Sequence, residues 1–380
     1  MSDYVLRVRD PRTLKLVAML PQYDGVTWTR RDLEAGSFQL DIFLDQLDDV
    51  ADVARNNILE VVRDGTFEFA GVIRRSAYSA LDRKFVLSGP DIKGFWLANR
   101  EIDPGASEFD VQSGVVGETA MIHYVNDHLI APSDSTRKMA NELTSPITAT
   151  ARATAGKGSS VDFNARWENL LKLLVEIGER ADLTHDIVIS PNFTGYEYQV
   201  SVPTDATQDT GTTPIIFSVQ WDNVGDNDYE ENYLRVANAV FVLADGTGTG
   251  RTVREVKDTT SITDDFRVEA HMDARQADST ARQDEQGNLK IARLLADAIT
   301  AKATPLTVAD EAYRTDWDLG YDVSIAFNDI GKTLDRRIKE VKITLVRQQE
   351  TIQVSFGQPP RTLARLIDEV TNRSVRAQVL

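Results

Sequence analysis

The feature that most constrains the fold is a pattern of three strand-like runs that occurs near each end of the chain. In residues 57–89, an Asp64-Gly65 pair separates two apolar-rich runs, and a polar turn around residues 81–83 precedes the third. Asp-Gly between such runs is a strong hairpin signal, because glycine adopts a positive φ at little cost. Residues 323–357 repeat the order of strand, turn, basic strand, polar turn and alternating strand. We therefore predict that the chain carries the same three-stranded meander twice.

Length and charge limit the organisation and the partners of the chain. At 380 residues, a length of about 150 residues per domain predicts two or three domains. The 42 basic and 59 acidic residues give a net charge of −17, which opposes binding of nucleic acid or anionic membranes through a general basic surface. The sequence has no cysteine, which excludes disulfides, thiolate metal sites and cysteine nucleophiles. It also lacks an apolar signal region and a run long enough to span a membrane, which predicts synthesis in the cytosol without Sec export.

Periodicity predicts a mainly β chain with α/β insertions. The predicted organisation is a β-rich domain at 1–103, an inserted α/β portion at 104–205, a second β-rich domain at 206–358 with a helical insertion around 276–315, and a C-terminal helical tail at 359–380.

Local patterns predict the single elements. Paired strands are expected at 4–8 and 14–20, and a half-buried strand at 37–42 with Phe38, Leu40 and Ile42 inward. Further strands are predicted at 186–190, 197–203, 215–221, 237–243, 252–256 and 266–275. Helices are predicted at 45–55, 92–97 after an Asp91 cap, 115–130, 167–181, 285–300 (with Leu289, Ile291, Ala292 and Leu295 inward) and 362–372. Loops are predicted for the polar tract 133–160 and the acidic stretch 222–231.

The sequence contains no readable catalytic, cofactor or metal motif. His123 and His128 are five residues apart, about 140° around an α-helix, so they are not expected to share a face. The acidic stretch 222–231 does not fit the twelve-residue calcium loop. The glycine-rich segment at 246–251 lacks the spacing of phosphate-binding loops and lies between predicted strands, which favours a hairpin.

Several sequence blocks, in this order, resemble the tail-hub family of long-tailed siphophages. They are W-T-R-R-x-L-E-A-G-S-F-Q-L at 28–40, N-N-I-L-E-V-V-R-D-G-x-F-E-F-A-G-V-I at 56–73, S-G-P-D-I-K-G-F-W-L-A-N-R at 88–100, Y-V-N at 124–126, R-W-E-N-L-L at 166–171, G-x-G-x-x-R at 246–251 and V-E-A-H-M-D-A-R at 268–275. The family is related to the hub proteins of contractile tails and to VgrG-type spike hubs. The chain departs from the pattern at Thr249, where an acidic residue is usual, and no hydrolase or long fibre domain follows the hub region.

The resemblance implies a fold, a function and partners. It implies two related, tube-like β-barrel domains and a homotrimeric baseplate hub in the virion tail tip, which adapts the sixfold tail tube to a threefold tip and opens the channel for DNA ejection. The implied partners are the distal tail protein, the tail tube protein, the tape measure protein and tip fibre or receptor-binding proteins, with viral DNA passing through the lumen without specific binding. No cofactor or enzymatic activity is expected. The alternative is a tail-associated cell-wall hydrolase, a peptidase or glycosidase, with its site in the inserted portion.

The same resemblance gives the glycine segment a hypothetical role. Three glycines in five residues lose backbone entropy when they are ordered, so their presence indicates motion or an unusual backbone shape. We predict that this segment lies at a subunit contact or at the lumen constriction, where it could gate the closed tail, with Arg251 anchoring it to a nearby carboxylate such as Asp273. The candidate contact or gating residues are Gly246, Gly248, Gly250, Arg251, Asp273 and Arg275. Replacing the three glycines together by alanine is expected to leave the chain folded but to impair tail assembly or DNA release.

Overall fold

The computed structural model describes residues 2–208, 213–246, 248–264, 266–275, 277, 279–305, 312–347 and 349–357. The predicted helix at 362–372 and the tail at 359–380 lie outside these residues. The chain divides into two compact units, the first built on 1–227 and 303–354 and the second on Asp228–Lys302 together with the described residues 355–357. The chain leaves the first unit near residue 227 and returns near residue 303.

The described part of the chain is mainly β with helical insertions, as predicted. The strands are β1 (Tyr4–Arg9), β2 (Leu16–Leu20), β3 (Gly25–Arg31), β4 (Ser37–Phe43), β5 (Ile58–Arg63), β6 (Thr66–Val72), β7 (Arg75–Ser79), β8 (Lys84–Pro90), β9 (Asp110–Val116), β10 (Thr148–Ala151), β11 (Ser160–Ala165), β12 (Thr184–Ile189), β13 (Gly195–Ser201), β14 (Asp205–Ala206), β15 (Ile216–Phe217), β16 (Val224–Glu231), β17 (Ala239–Leu243), β18 (Val253–Lys257), β19 (Glu269–Asp273), β20 (Ile299–Pro305), β21 (Asp322–Phe327), β22 (Lys332–Val346) and β23 (Gln349–Phe356). The α-helices are α1 (Ile92–Leu97), α2 (Gly117–Val125), α3 (Leu170–Ala181), α4 (Thr259–Asp264) and α5 (Thr280–Ala298).

Two sheets form the β part of the first unit outside the inserted portion. The smaller has the order β2-β1-β5-β6, and the larger contains the run β23-β22-β3-β4-β8-β7. In β4, Phe38, Leu40 and Ile42 are buried while the residues between them are more exposed, which confirms the predicted alternation. Apolar side chains of the two sheets meet, as in the edge-to-face contact of Phe38 with Phe69. A bridge between Gly71 and Asp91 joins the sheets at a corner.

The two copies of the three-run pattern share a layout. In the second copy, β21 pairs with the first part of β22, and β23 follows as a neighbour of β22 in the same sheet. In the first copy, β5 pairs with β6 and β7 with β8, and the middle run is interrupted between β6 and β7. The prediction of a single-sheet meander at 57–89 is therefore wrong, because its two hairpins lie in different sheets. The middle run changes sheet where the Ile73 N–H donates to Asn57 and the Arg74 N–H donates to Ser88.

The inserted portion packs two helices against small sheets. α3 buries Leu170, Leu174 and Ile177 on one face, as its apolar stripe predicts. Its start is later than predicted, because the Asn169 side chain caps it by accepting from the Lys172 N–H. The antiparallel pair β12–β13 and the parallel pair β10–β13 form a three-stranded sheet, and the predicted loop 133–160 thus includes a strand, β10.

The second unit contains a three-stranded sheet in the order β18-β17-β19 with α5 against it. Its apolar core includes Val240, Val242, Val256 and Ile291. The predicted inward face of α5 is wrong in part, because Leu295 is 44% exposed while Ile291 is buried. The helix turns the row Gln283, Gly287 and Ile291 inward, and a side chain at Gly287 would collide with Val256.

Three further local predictions are wrong. The acidic stretch 222–231, expected as a loop, contains strand β16, since pairing within a sheet overrides the low strand propensity of Asp and Asn. Residues 45–55 form two short 3₁₀ turns at Leu44–Gln46 and Val50–Val53. In 215–221 only β15 is a strand, and a 3₁₀ turn follows at Val219–Trp221, where the Ser218 hydroxyl accepts from the Gln220 N–H.

Candidate functional sites

The glycine segment forms the turn of the β17–β18 hairpin, as predicted. Gly246 has φ 112°, and a Cβ there would lie 2.7 Å from the Gly250 carbonyl oxygen. Gly248 has φ 54° with open space around it, whereas Gly250 has neither a positive φ nor a close neighbour. The backbone shape therefore requires glycine at Gly246 and favours it at Gly248, while nothing in the hairpin itself requires it at Gly250.

Arg251 fixes the end of this turn. Its guanidinium donates to the Ala244 and Leu243 carbonyl oxygens, both at 2.9 Å, and its Nη2 lies 2.8 Å from Asp273 Oδ1. Arg275 Nε lies 3.2 Å from the other oxygen of Asp273. The predicted Arg251–Asp273 ion pair is thus present, and it links the hairpin to the end of β19. The location of this segment at a subunit contact or at the lumen stays a prediction.

A second polar cluster lies in the inserted portion, around Asp110 at the start of β9. His123 Nε2 and His128 Nε2 each lie 2.8 Å from one oxygen of this carboxylate. His128 is 2% exposed, and its Nδ1 accepts from the Asp103 N–H at 3.4 Å. Because Nδ1 is an acceptor, Nε2 carries the proton and donates to Asp110.

The cluster contradicts the expectation that the two histidines point in different directions. After α2 the chain continues in a π turn, Asn126–Ile130, in which the Ala131 N–H donates to the Asn126 carbonyl at 2.7 Å. This wider turn has more residues per turn than an α-helix, so it reduces the angle between residues five apart. The spacing of the two histidines does not reveal the π turn, because the sequence in this region carries only the apolar periodicity of an α-helix.

Hydrogen bonds in this cluster favour the charged forms of Asp110 and His123. Burial would raise the pKa of Asp110, but the hydrogen bonds from His123 and His128, together with the charge of His123, outweigh burial and hold that pKa well below its ordinary value. The hydrogen bond to Asp110 raises the pKa of His123, and the nearby Asp127 carboxylate adds to the effect. Asp110, His123 and Asp127 each place a potential ligand atom within 4.8 Å of the others, so they are the residues in the described part of the chain that could hold a metal ion.

A third polar group, missed by the sequence analysis, is an ion network buried in the first unit. Glu68 is 2% exposed and accepts from Tyr313 Oη and from Arg314 Nε, both at 2.8 Å. Asp318 bridges Arg314 and Arg30, at 2.8 and 2.7 Å. The network attaches residues 313–318 to strands of the first 70 residues. The network therefore has a structural role, because it holds a segment late in the chain against strands near its beginning.

The family follows from the sequence as a whole. A family model described as Siphovirus ReqiPepy6 Gp37-like protein matches residues 5–358. The chain belongs to this family. No curated protein matches the sequence.

Solved structures of tail proteins have a similar fold over almost the whole chain. The 43 kDa tail protein of prophage MuSo2 from Shewanella oneidensis has a TM-score of 0.61 at 13% identity, covering 94% of this chain and 97% of that one. Prophage tail protein gp18 from Listeria monocytogenes EGD-e has a TM-score of 0.57 at 10% identity, covering 97% and 98%. A tail protein from Neisseria meningitidis MC58 has a TM-score of 0.56 at 18% identity, covering 93% and 96%.

These comparisons confirm the resemblance to siphophage tail proteins that the sequence blocks indicate, and they confirm the mainly β fold class. At identities of 10–18%, the structural likeness establishes the fold alone. Among the helices of the described residues, none is long and apolar enough to cross a membrane.

Proposed function

We propose that this Gp37-like protein is a structural, non-enzymatic component of a phage tail, and that it forms a homotrimeric baseplate hub at the distal end of the tail tube. The hub adapts sixfold symmetry to threefold symmetry and closes the channel until DNA is ejected. The family match and the fold shared with tail proteins support the location in the tail.

The observation that carries the hub proposal is the repeated strand layout. In both copies, the first strand pairs with the first part of a long middle run. A third strand follows the middle run after a tight turn. Three chains with two copies each supply six equivalent positions, which match a sixfold tube, while the trimer itself presents threefold symmetry. Duplication within one chain is thus a direct physical route from one symmetry to the other.

The connection between the two copies supports the same proposal. β3, near the first copy, pairs antiparallel with β22 of the second copy from Gly25 opposite Val346 to Arg31 opposite Glu340. The larger sheet of the first unit therefore contains β7 and β8 of the first copy together with β22 and β23 of the second, while β5 and β6 belong to the smaller sheet. A wall built by repeating such sheets from chain to chain is suited to a tube, because it leaves few free strand edges.

The net charge of −17 fits a channel for DNA. Like charge keeps the nucleic acid from adhering to the protein. We propose that the distal tail, tail tube, tape measure and tip fibre or receptor-binding proteins are its neighbours in the virion. On this proposal the barrels are the domains at 1–103 and 206–358, with the portion at 104–205 inserted between them.

Copy number in assembled tails tests the proposal. A reconstruction of the tail tip, or quantitative mass spectrometry of purified tails against the tube protein, should give three copies of this chain for every six tube subunits in one ring. Six copies in one ring would overturn the symmetry role, because the duplicated layout would then have no use. Absence of the chain from purified tails would overturn the structural role itself.

A further inference from the structure

His123 lies between two carboxylates, and its two ring nitrogens lie at different distances from them. Nε2 lies 2.8 Å from Asp110 Oδ1, a normal hydrogen-bond length. Nδ1 lies 3.6 Å from Asp127 Oδ2, which is too long for a hydrogen bond. The Asp127 side chain is 53% exposed, so this second gap is open to solvent.

The longer distance matches the separation of two ligands around one metal ion. Ligands bound to Zn²⁺ at about 2.0–2.1 Å in tetrahedral geometry lie about 3.3 Å from each other. A shift of a few tenths of an ångström in the exposed Asp127 side chain would bring Nδ1 and Oδ2 to that spacing. We propose that His123 Nδ1 and Asp127 bind a late first-row divalent cation of the Zn²⁺ class, with water completing its coordination.

The surroundings of His123 are those of a metal-binding histidine. Such a histidine generally donates its other ring N–H to a carboxylate, which fixes the ring and raises its basicity. Asp110 is in this position, and it is itself held by the hydrogen bond from buried His128. His123 and Asp127 are four residues apart, where α2 passes into the π turn, so a bound cation would join the helix to that turn.

Protons compete with the cation at this site. Because the hydrogen bond to Asp110 raises the pKa of His123, the imidazole holds its second proton more tightly, and that proton competes with a cation for Nδ1. Metal binding requires the deprotonated nitrogen. With only two protein ligands, we expect a dissociation constant in the micromolar range rather than the far lower values of four-ligand zinc sites.

The test is titration of the full chain with ZnCl₂ at pH 8, followed by isothermal calorimetry and by thermal unfolding. We expect one saturable site and a rise in melting temperature, since a ligand that binds the folded state stabilises it. His123→Gln should abolish the site, and Asp127→Asn, at an exposed position, should weaken it at least tenfold. His271→Gln is the matched control, because His271 is exposed on β19, and it should bind as the wild type does.

The proposal would be overturned if the wild type bound no Zn²⁺ in this range, or if Asp127→Asn and His123→Gln bound it as tightly as the wild type. Circular dichroism of each variant shows whether it is folded. If His123→Gln does not fold, Asp127→Asn decides alone, because the Asp127 side chain is 53% exposed. MgCl₂ should give no saturable site, since Mg²⁺ prefers oxygen ligands.

Discussion

Glu68 shows how a single buried carboxylate can hold distant parts of this chain together. Its side chain accepts hydrogen bonds from Tyr313 and Arg314, which are about 245 positions away in the sequence. Burying an ion pair is costly, but removing one partner of a buried pair is costlier, because the other charge then lacks compensation. Glu68 therefore determines whether residues 313–318 stay attached to the first unit.

The first prediction concerns this carboxylate. Glu68→Gln should lower the free energy of unfolding by about 3 kcal/mol, the low end for a broken buried pair, since Arg314 keeps 28% of its side chain exposed. Urea unfolding followed by tryptophan fluorescence measures the change. Glu108→Gln, at an exposed position, is the control and should be neutral. Equal stability of the two variants would show that the network does not hold the fold.

The second prediction concerns acid and Asp318. Burial would raise the pKa of Asp318, but the guanidinium groups of Arg30 and Arg314 outweigh burial and lower it. A carboxyl group whose pKa is lowered by folding stabilises the protein at pH values above its pKa in the unfolded chain, which is about 3.9. This contribution is lost as the pH falls toward the pKa of the group in the folded chain. The wild type should therefore lose stability more steeply below pH 4 than Asp318→Asn does.

Urea unfolding at pH 6, 4 and 3.5 checks the acid prediction. The exposed Asp48→Asn serves as control and should follow the wild-type slope. If Asp318→Asn followed it as well, the ion pairs with Arg30 and Arg314 would contribute nothing to acid sensitivity.

Among the elements, the β17–β18 hairpin allows a third prediction, in which substitutions at two of its glycines have different effects on stability. Gly246→Ala should destabilise the hairpin by about 1–3 kcal/mol, because alanine is strained at φ 112° and its Cβ would meet the Gly250 carbonyl. Gly250→Ala should be almost neutral. Hydrogen exchange of the β17 and β18 amides measures both, and equal protection in the two variants would contradict the geometry.

The difference between Gly246 and Gly250 also matters for the effect of glycine substitutions on tail assembly. Replacing all three glycines by alanine would strain the hairpin as well as alter any contact it makes. Gly250→Ala keeps the hairpin shape, so a defect of that variant in tail assembly or DNA release would point to the predicted contact or gate.

Elements with a complete local signal were predictable from the sequence. The helix at 92–97 was predicted with its observed bounds, because Asp91 caps it locally, and β4 was predicted from strict alternation. β16 was missed, because its acidic residues form a strand only through pairing in a sheet. The Asp110 cluster was missed for two reasons: the carboxylate is 13 residues or more from its histidines, and the π turn changes which residues share a face.

At the scale of the whole molecule, the repeat was visible in the sequence but its geometry was not. Turn residues and alternation revealed three runs in each copy. They could not show that the middle run of the first copy crosses between sheets, because that crossing depends on backbone bonds to Asn57 and Ser88. The pairing of β3 with β22, more than 300 residues apart, likewise depends on the folded chain and has no local signal.

The last prediction concerns how whole chains associate. In the described part of the chain β2 forms an edge of the smaller sheet, and its Leu16, Val17 and Met19 side chains are 50%, 42% and 47% exposed. An apolar edge strand readily pairs with another chain, and a closed ring of three copies would cover it. We therefore expect the wild type to form trimers in which β2 is buried.

Mass photometry of the wild type and of a variant carrying Val17→Lys with Met19→Lys tests this contact. Lysine on an edge strand blocks pairing between chains, so the double variant should be monomeric while its circular dichroism spectrum stays that of a folded chain. Leu81→Lys is the control, because Leu81 is 94% exposed in the turn between β7 and β8, and it should stay trimeric. A double variant that still forms trimers would place the contact elsewhere, and a wild type that forms hexamers would contradict threefold closure, since three chains already supply six copies of the repeated layout.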